Sequence, residues 1–361
     1  MKSFATILVC TVANAAVVDK FSELASKQLP NDLSTINIEV DGVQKTYYVA
    51  ADFSTTGSSD YGIPSNGRGY IAETPTLDKS NPKYFLPNLL GGSVEFDVDL
   101  SQHECGCIAA FYLVSMPGKN ADGSLWMDSD GWGYCDANQV SGNYCPEFDI
   151  MEANKWAWSS TPHSCNPPSD KGFYNTCDRG GTCMQRSKDN WDYSGYGPGD
   201  SYSINTNKPF HQKISFNADS NGQFSSYDSV LTQEGRTQSL NSACTSLNKM
   251  SWDLSNGMGF ALSNWGGDAS WLWGDKCYGS CNWPELTFSN IKIALGTVTP
   301  GPGPTPGPYN PSDYKFGDVC AGVFEDCGSE GCGADHCKWS WPKDDPAQWS
   351  SADAGCRCDV I

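Results

Sequence analysis

Apolar and polar residues alternate strictly at several places in the 361-residue chain. Val94, Phe96, Val98 and Leu100 are apolar, with Glu95, Asp97 and Asp99 between them. That period of two marks a strand with one buried and one wet face. Ile36, Ile38 and Val40 repeat it, and Asp41-Gly42 then offers a hairpin turn into Thr46–Ala50. Ile108–Met116 is an almost unbroken apolar run, which suits a strand covered on both faces. Helical periodicity is scarce, with a short candidate at Phe21–Gln28. Short strands separated by Gly, Asn, Ser and Pro clusters predict an all-β fold over residues 16–296. The expected form is a two-sheet antiparallel β-sandwich, jelly-roll and concanavalin-like, with long loops.

The flanks change the picture. Residues 1–15 read as an export signal: Lys2, an apolar run from Phe4 to Val12, and the small-residue site Ala13-Asn14-Ala15. A secreted, extracellular chain follows as the expectation. Residues 297–312 hold a Pro/Gly-rich stretch with no means of building a core, read as a linker. Beyond it, residues 313–361 carry six cysteines with Trp339, Trp341 and Trp349. So small a unit needs disulfides to stay folded. It reads as a Cys-rich module for carbohydrate binding, or as a cap whose tryptophans are core.

Of 17 cysteines, Cys10 leaves with the signal; ten lie between Cys105 and Cys281 and six between Cys320 and Cys358. Even groups in an exported chain point to disulfides. With 42 acidic against 23 basic residues, the net charge of −19 repels nucleic acid and anionic membranes and suits a neutral partner. His103, His163, His211 and His336 are the only histidines, and no metal site or cofactor is expected.

The chemistry concentrates in Glu147-Phe148-Asp149-Ile150-Met151-Glu152-Ala153-Asn154. On a regular strand Glu147 and Asp149 share a face and Glu152 points away. A one-residue bulge between Asp149 and Glu152 would bring all three together. Carboxylates held this close raise one another's pKa, so one keeps its proton while another stays ionised. Glycoside cleavage needs that division of labour. A solvated or calcium-binding acidic face is the plain alternative.

The same segment, followed by Thr161-Pro162-His163-Ser164-Cys165, resembles glycoside hydrolase family 7, the cellobiohydrolase and endoglucanase type. Further matching stretches keep their order. They are Leu89-Leu90-Gly91 leading to Phe96-Asp97-Val98-Asp99, Tyr112–Met116, Gly133-Tyr134-Cys135-Asp136, Gly180-Gly181-Thr182-Cys183, Tyr196-Gly197-Pro198-Gly199 and Thr287–Lys292. The resemblance covers roughly 89–296. It implies Glu147 as nucleophile, Asp149 as its partner and Glu152 as acid/base. It implies Tyr112, Tyr134, Asp136, His163, Trp265 and Trp273 as substrate-binding residues, with a core role as the alternative for the two tryptophans and a purely structural hydrogen-bonding role as that for His163.

Residues 20–88 depart from the family's first part, Ile108 stands where the family has an asparagine, and Tyr278 replaces an arginine before Gly279-Ser280-Cys281. These departures favour an open groove over a tunnel. The resemblance thus implies a monomeric, retaining hydrolase that cuts internal β-1,4 bonds of cellulose or a related β-glucan, without nucleic-acid or membrane partners. The alternatives are a β-1,3 or mixed-linkage glucanase or transglycosylase, and a lectin-like glucan binder.

Overall fold

The structure, a computed structural model, describes residues 34–51, 60–75, 78, 81–191, 194–267, 270–273 and 279–298, and the strands 337–340 and 355–358. For Asp60, Tyr61, Ser270, Trp273 and the last two strands it describes backbone alone. The export signal, the Phe21–Gln28 segment, most of the 297–312 stretch and most of the 313–361 module lie outside the described residues. Backbone contacts divide the chain into two units, Met1–Pro306 and Gly307–Ile361.

In the first unit the strands are β1 (Ser34–Val40), β2 (Val43–Ala51), β3 (Asp60–Ile63), β4 (Gly67–Ala72), β5 (Ser93–Asp99), β6 (Cys107–Val114), β7 (Glu147–Ala153) and β8 (Trp158–His163). They continue as β9 (Gln185–Arg186), β10 (Tyr196–Gly197), β11 (Ile204–Asn205), β12 (Phe210–Ala218), β13 (Phe224–Gln233), β14 (Arg236–Ala243), β15 (Gly259–Gly266) and β16 (Leu286–Ala294). The described helical pieces are short: Ser187–Asn190, Thr245–Met250, Ser251–Asn256 and Ser270–Trp273. None of the described helices is long and apolar enough to cross a membrane.

Fourteen strands form one continuous sheet, in the order β14-β13-β12-β5-β16-β1-β2-β4-β15-β6-β7-β8-β9, with β3 beside β16. The first hairpin turns on Asp41 and Gly42, both at positive φ (50° and 76°), where glycine is unstrained. Where an all-antiparallel arrangement was expected, the sheet is mixed, because β1 runs parallel to β16. One edge of β1 is taken by its hairpin partner β2, and the other meets β16 in the direction that β5 imposes on it. Asp41 closes the join: its N–H donates to the Ile293 carbonyl (2.9 Å), and its Oδ1 accepts from the Leu295 N–H (2.9 Å).

The sheet curls so that strands far apart in this order face one another. Phe96 of β5 stacks on Phe111 of β6 (centroids 4.5 Å), and Phe148 of β7 meets Phe216 of β12 edge-on (5.2 Å). These rings belong to the main core, together with Val94, Val98, Ile150 and Met151. A second apolar cluster covers the other face of the same strands, with Tyr70, Ile108, Ala110, Tyr112, Val114 and Ala261. That is why all of β6 is buried.

The two-sided burial depends on one irregularity. Along β6, Phe111 pairs with Met151 but Tyr112 pairs with Asp149, so Ile150 is the extra residue of a bulge. The ladder to β8 shifts at the same place, between Asp149 and Glu152. The carbonyl of the bulged Ile150 accepts a bond from Gln212 Nε2 of β12 (2.9 Å). Gln212 Oε1 in turn accepts from the Trp158 indole N–H (2.9 Å), and both side chains are fully buried. A buried polar group without a partner is costly, so this bridge anchors the bulge to the opposite side of the core.

Gln212→Met keeps the volume but strands the Ile150 carbonyl and the Trp158 N–H. It should destabilise the fold by roughly 2–4 kcal/mol, read as a lower midpoint in urea unfolding with an unchanged slope.

Candidate active site

Because both Ile150 and Met151 turn into the main core with Phe148 and Ala153, the side chains of Glu147, Asp149 and Glu152 emerge together on the opposite face. Glu147 and Asp149 are buried there, and Glu152 is partly buried. A partner surrounds each of the first two. Glu147 Oε2 accepts the backbone N–H of Ala137 (3.1 Å). Asp149 Oδ2 lies 3.1 Å from His163 Nε2, and its backbone carbonyl accepts from Ser160 Oγ. Among the described residues none donates a hydrogen bond to the Glu152 carboxyl.

Two short disulfides fix these partners. Cys135–Cys145 closes the loop that carries Asp136 and Ala137. Cys165–Cys177 closes the loop between His163 and Asp178, whose carbonyl accepts from His163 Nδ1 (2.8 Å). Cys107–Cys281 and Cys183–Cys244 tie more distant segments, and Cys105 is also disulfide-bonded. The Gly180-Gly181-Thr182-Cys183 motif has a steric cause here. Gly181 sits at φ 71°, and a side chain on it would collide with Thr161 and His163.

The electrostatics follow from burial. His163 must donate Nδ1–H to a carbonyl, so it faces Asp149 with Nε2–H only as an imidazolium. Burial pulls its pKa down, but the Asp149 bond and the charges of Asp149 and Glu147 outweigh this and hold it at about 10. Burial pushes the Glu147 carboxyl well up, aided by Asp149 and Asp136; the His163 charge and the Ala137 N–H oppose. Asp149 is raised by burial and restrained by His163. Glu152 is raised well above the usual range by burial, then by Asp149 and Glu147, with only the His163 charge against it. Of the three acids, Glu152 alone receives no hydrogen bond from a described residue, while burial raises it as it raises Glu147.

Ligand oxygens and nitrogens of Glu147, Asp149 and His163 lie within 4.8 Å of one another, close enough for a cation. With both ring nitrogens of His163 donating, that trio could take a metal only by giving up a proton.

Of the other sequence-derived residues, Tyr112, Tyr134 and Asp136 lie near Glu147. Tyr112 pairs with Asp149 in register, and its hydroxyl lies 3.3 Å from that of Tyr134. Burial raises the Tyr112 pKa to about 12. Asp136 is buried, its Oδ1 accepting the Val140 N–H (2.9 Å). Trp265, partly buried, stands on the same face opposite Ile108. The backbone of Trp273 ends the short helix Ser270–Trp273, and its side chain lies outside the described residues, as does Tyr278.

Sequence reasoning missed Arg68. On β4, its guanidinium carbon sits 4.0 Å over the Tyr134 ring, a cation on an aromatic face beside Tyr70. The available signal was one charged residue in the strand Gly67-Arg68-Gly69-Tyr70-Ile71-Ala72.

Comparison with known proteins fits this arrangement. The family model for Glycosyl hydrolase family 7 matches residues 63–141. The match begins inside the 20–88 segment set aside above, so the likeness reaches further toward the N-terminus than the motifs indicated; it ends before Glu147. Endoglucanase 1 of Pyricularia oryzae is 27% identical, over 69% of this chain and 74% of its own length. Endoglucanase EG-1 of Hypocrea jecorina is 30% identical over 71% of this chain, which spans 61% of that relative. The solved structure of endoglucanase I complexed with cellobiose superposes with a TM-score of 0.61 at 19% identity, covering 76% of this chain and 99% of that one. The curved β scaffold with acids on one face is thus a glycoside hydrolase fold. By family model, curated relatives and fold, the chain is similar to glycoside hydrolase family 7.

Asp149→Asn should release His163 from its high pKa. With that negative charge gone, burial weighs more heavily and the imidazole pKa should fall from its raised value. Side-chain NMR across pH 5–9 should show His163 charged throughout in the parent and turning neutral in the variant.

Proposed function

We propose that the chain is a secreted, retaining endo-β-1,4-glucanase acting on cellulose or a related β-glucan. The observation that carries this is the bulge at Ile150, which sets a hydrogen-bonded Glu147 and an unsupported Glu152 on one sheet face. The relatives matched are endoglucanases by name. Neither the site nor these relatives favours the β-1,3, mixed-linkage, transglycosylase or lectin-like alternatives.

In this reading a Glu147 oxygen attacks the anomeric carbon while Glu152 passes its proton to the glycosidic oxygen, and the bond to the leaving chain breaks. Glu152, now ionised, takes a proton from water, whose oxygen displaces Glu147 from the sugar and restores both groups. Asp149, clamped by His163, holds Glu147 in place. Tyr112, Tyr134, Asp136, His163, Trp265 and Trp273 contact the sugars. No cofactor is required by these steps.

The curled sheet reads as a two-layer jelly-roll sandwich whose concave face is the groove, supported by the ring contacts between β5 and β6. Residues 1–15 act as export signal and 297–312 as linker, and the chain works as a monomer. The 313–361 module is a glucan-binding domain; its strands Cys337–Ser340 and Gly355–Cys358 pair antiparallel, with Cys337 opposite Cys358.

Glu147→Gln should lower reducing-sugar release from carboxymethyl cellulose at least about a thousandfold, with the fold intact. Glu152→Gln should lose roughly 10²–10⁴-fold on the same polymer, yet spare the first step on an aryl cellobioside whose leaving group needs no proton, seen as a burst of phenol followed by slow turnover for want of the base. Proton NMR of the first product should show the β-anomer; an initial α-product would refute the retaining course.

A further inference from the structure

Away from the acid row, a cavity of about 160 Å³ opens beside the helix Ser251–Asn256. Asp253 lines it and is only 4% exposed. Ser115 Oγ (2.8 Å) and Tyr174 OH (2.9 Å) both donate to the same oxygen, Oδ1. Oδ2 takes no hydrogen bond from another described residue. Burial pushes this carboxyl up to about 6 against the two hydroxyl donors, so it is ionised at neutral pH. No cation pairs with it among the described residues, and an ionised carboxylate this deep has unused capacity to accept.

The walls supply complementary groups. Asn166, Gln223 and Asn248 are exposed amides, each both donor and acceptor, and Lys249 makes no ion pair among the described residues. Trp252 is half-buried, its indole N–H meeting no partner there. The carboxylate at the base disfavours an anion. The volume suits one small ring. A ring with hydroxyls on its rim and apolar faces fits carboxylate, amides and indole together.

We infer that this cavity is a second saccharide site, separate from the catalytic groove, which takes one neutral pyranose unit. Trp252 provides the stacking face, and Asp253 and the amides accept and donate to its hydroxyls. The assignment stands on the cavity alone and does not depend on the hydrolase reading.

Calorimetric titration of the full chain with D-glucose at neutral pH tests it. Trp252→Ala should weaken glucose binding about tenfold or more, and Asp253→Asn, which keeps the shape, should weaken it as well. Trp265→Ala in the groove should retain the glucose-binding event that Trp252→Ala removes, and Trp252→Ala should leave carboxymethyl cellulose hydrolysis unchanged. Unaltered glucose binding in both cavity variants overturns the inference, as does its loss in Trp265→Ala. Binding of calcium chloride in place of glucose, abolished by Asp253→Asn, overturns it too.

Discussion

One extra residue in β7 governs the site. Strand geometry sends every second side chain to the same face, and Glu152 stands an odd number of positions from Glu147. Without Ile150 as the bulge, Glu152 would enter the main core and Met151 would occupy the groove. A bulge leaves one carbonyl out of the ladder, so it persists only where that group is satisfied. Gln212 meets that need from the far side of the core, and Trp158 holds Gln212 in turn. The packing of the core and the geometry of the acids are thus a single problem with a single buried amide at its centre.

The second constraint is charge. Three carboxylates lie close together around one imidazolium. Like charges in a poorly solvated place do not all ionise, so the proton must settle somewhere. The neighbours differ: His163 stands on Asp149, an amide N–H stands on Glu147, and no described residue donates to Glu152. The Ala137 N–H sits in the loop closed by Cys135–Cys145, and His163, at the end of β8, is held by the Asp178 carbonyl beside Cys165–Cys177. Covalent closure restricts the loops, and this helps to set an N–H and a carbonyl at fixed distances from buried charges.

Much of this was readable from the chain, for identifiable reasons. The alternation of Val94 to Leu100 and the Asp41-Gly42 hairpin are local signals, and both appear as expected. The bulge followed from a parity argument on the three acids, since chemistry required one face and regular geometry forbade it. The parallel pairing of β1 with β16 was not readable, because strands 250 residues apart in sequence carry no local sign of their direction. Arg68 escaped because its meaning comes from Tyr134, a residue on another segment that only folding brings beneath it. Gln212 escaped likewise: an apolar-facing position on β12 gives no hint that a carbonyl across the core awaits it.

On the proposed groove, the Ile108 departure can be weighed by the same physics. Ile108 is fully buried beside Trp265, so this part of the face offers apolar area where an asparagine would offer hydrogen bonds. An indole gripping a pyranose face attends to the ring and less to the linkage that follows it. Toward Glu147 the character reverses: Tyr112, Tyr134, Tyr70 and Arg68 form a tight polar-aromatic group beneath buried acids. Discrimination by hydrogen bonds exceeds discrimination by apolar contact, because an unmet buried donor is expensive. On the proposed reaction, the choice of sugar is therefore made around the tyrosines and the acids, and the Ile108–Trp265 side contributes grip with little selectivity.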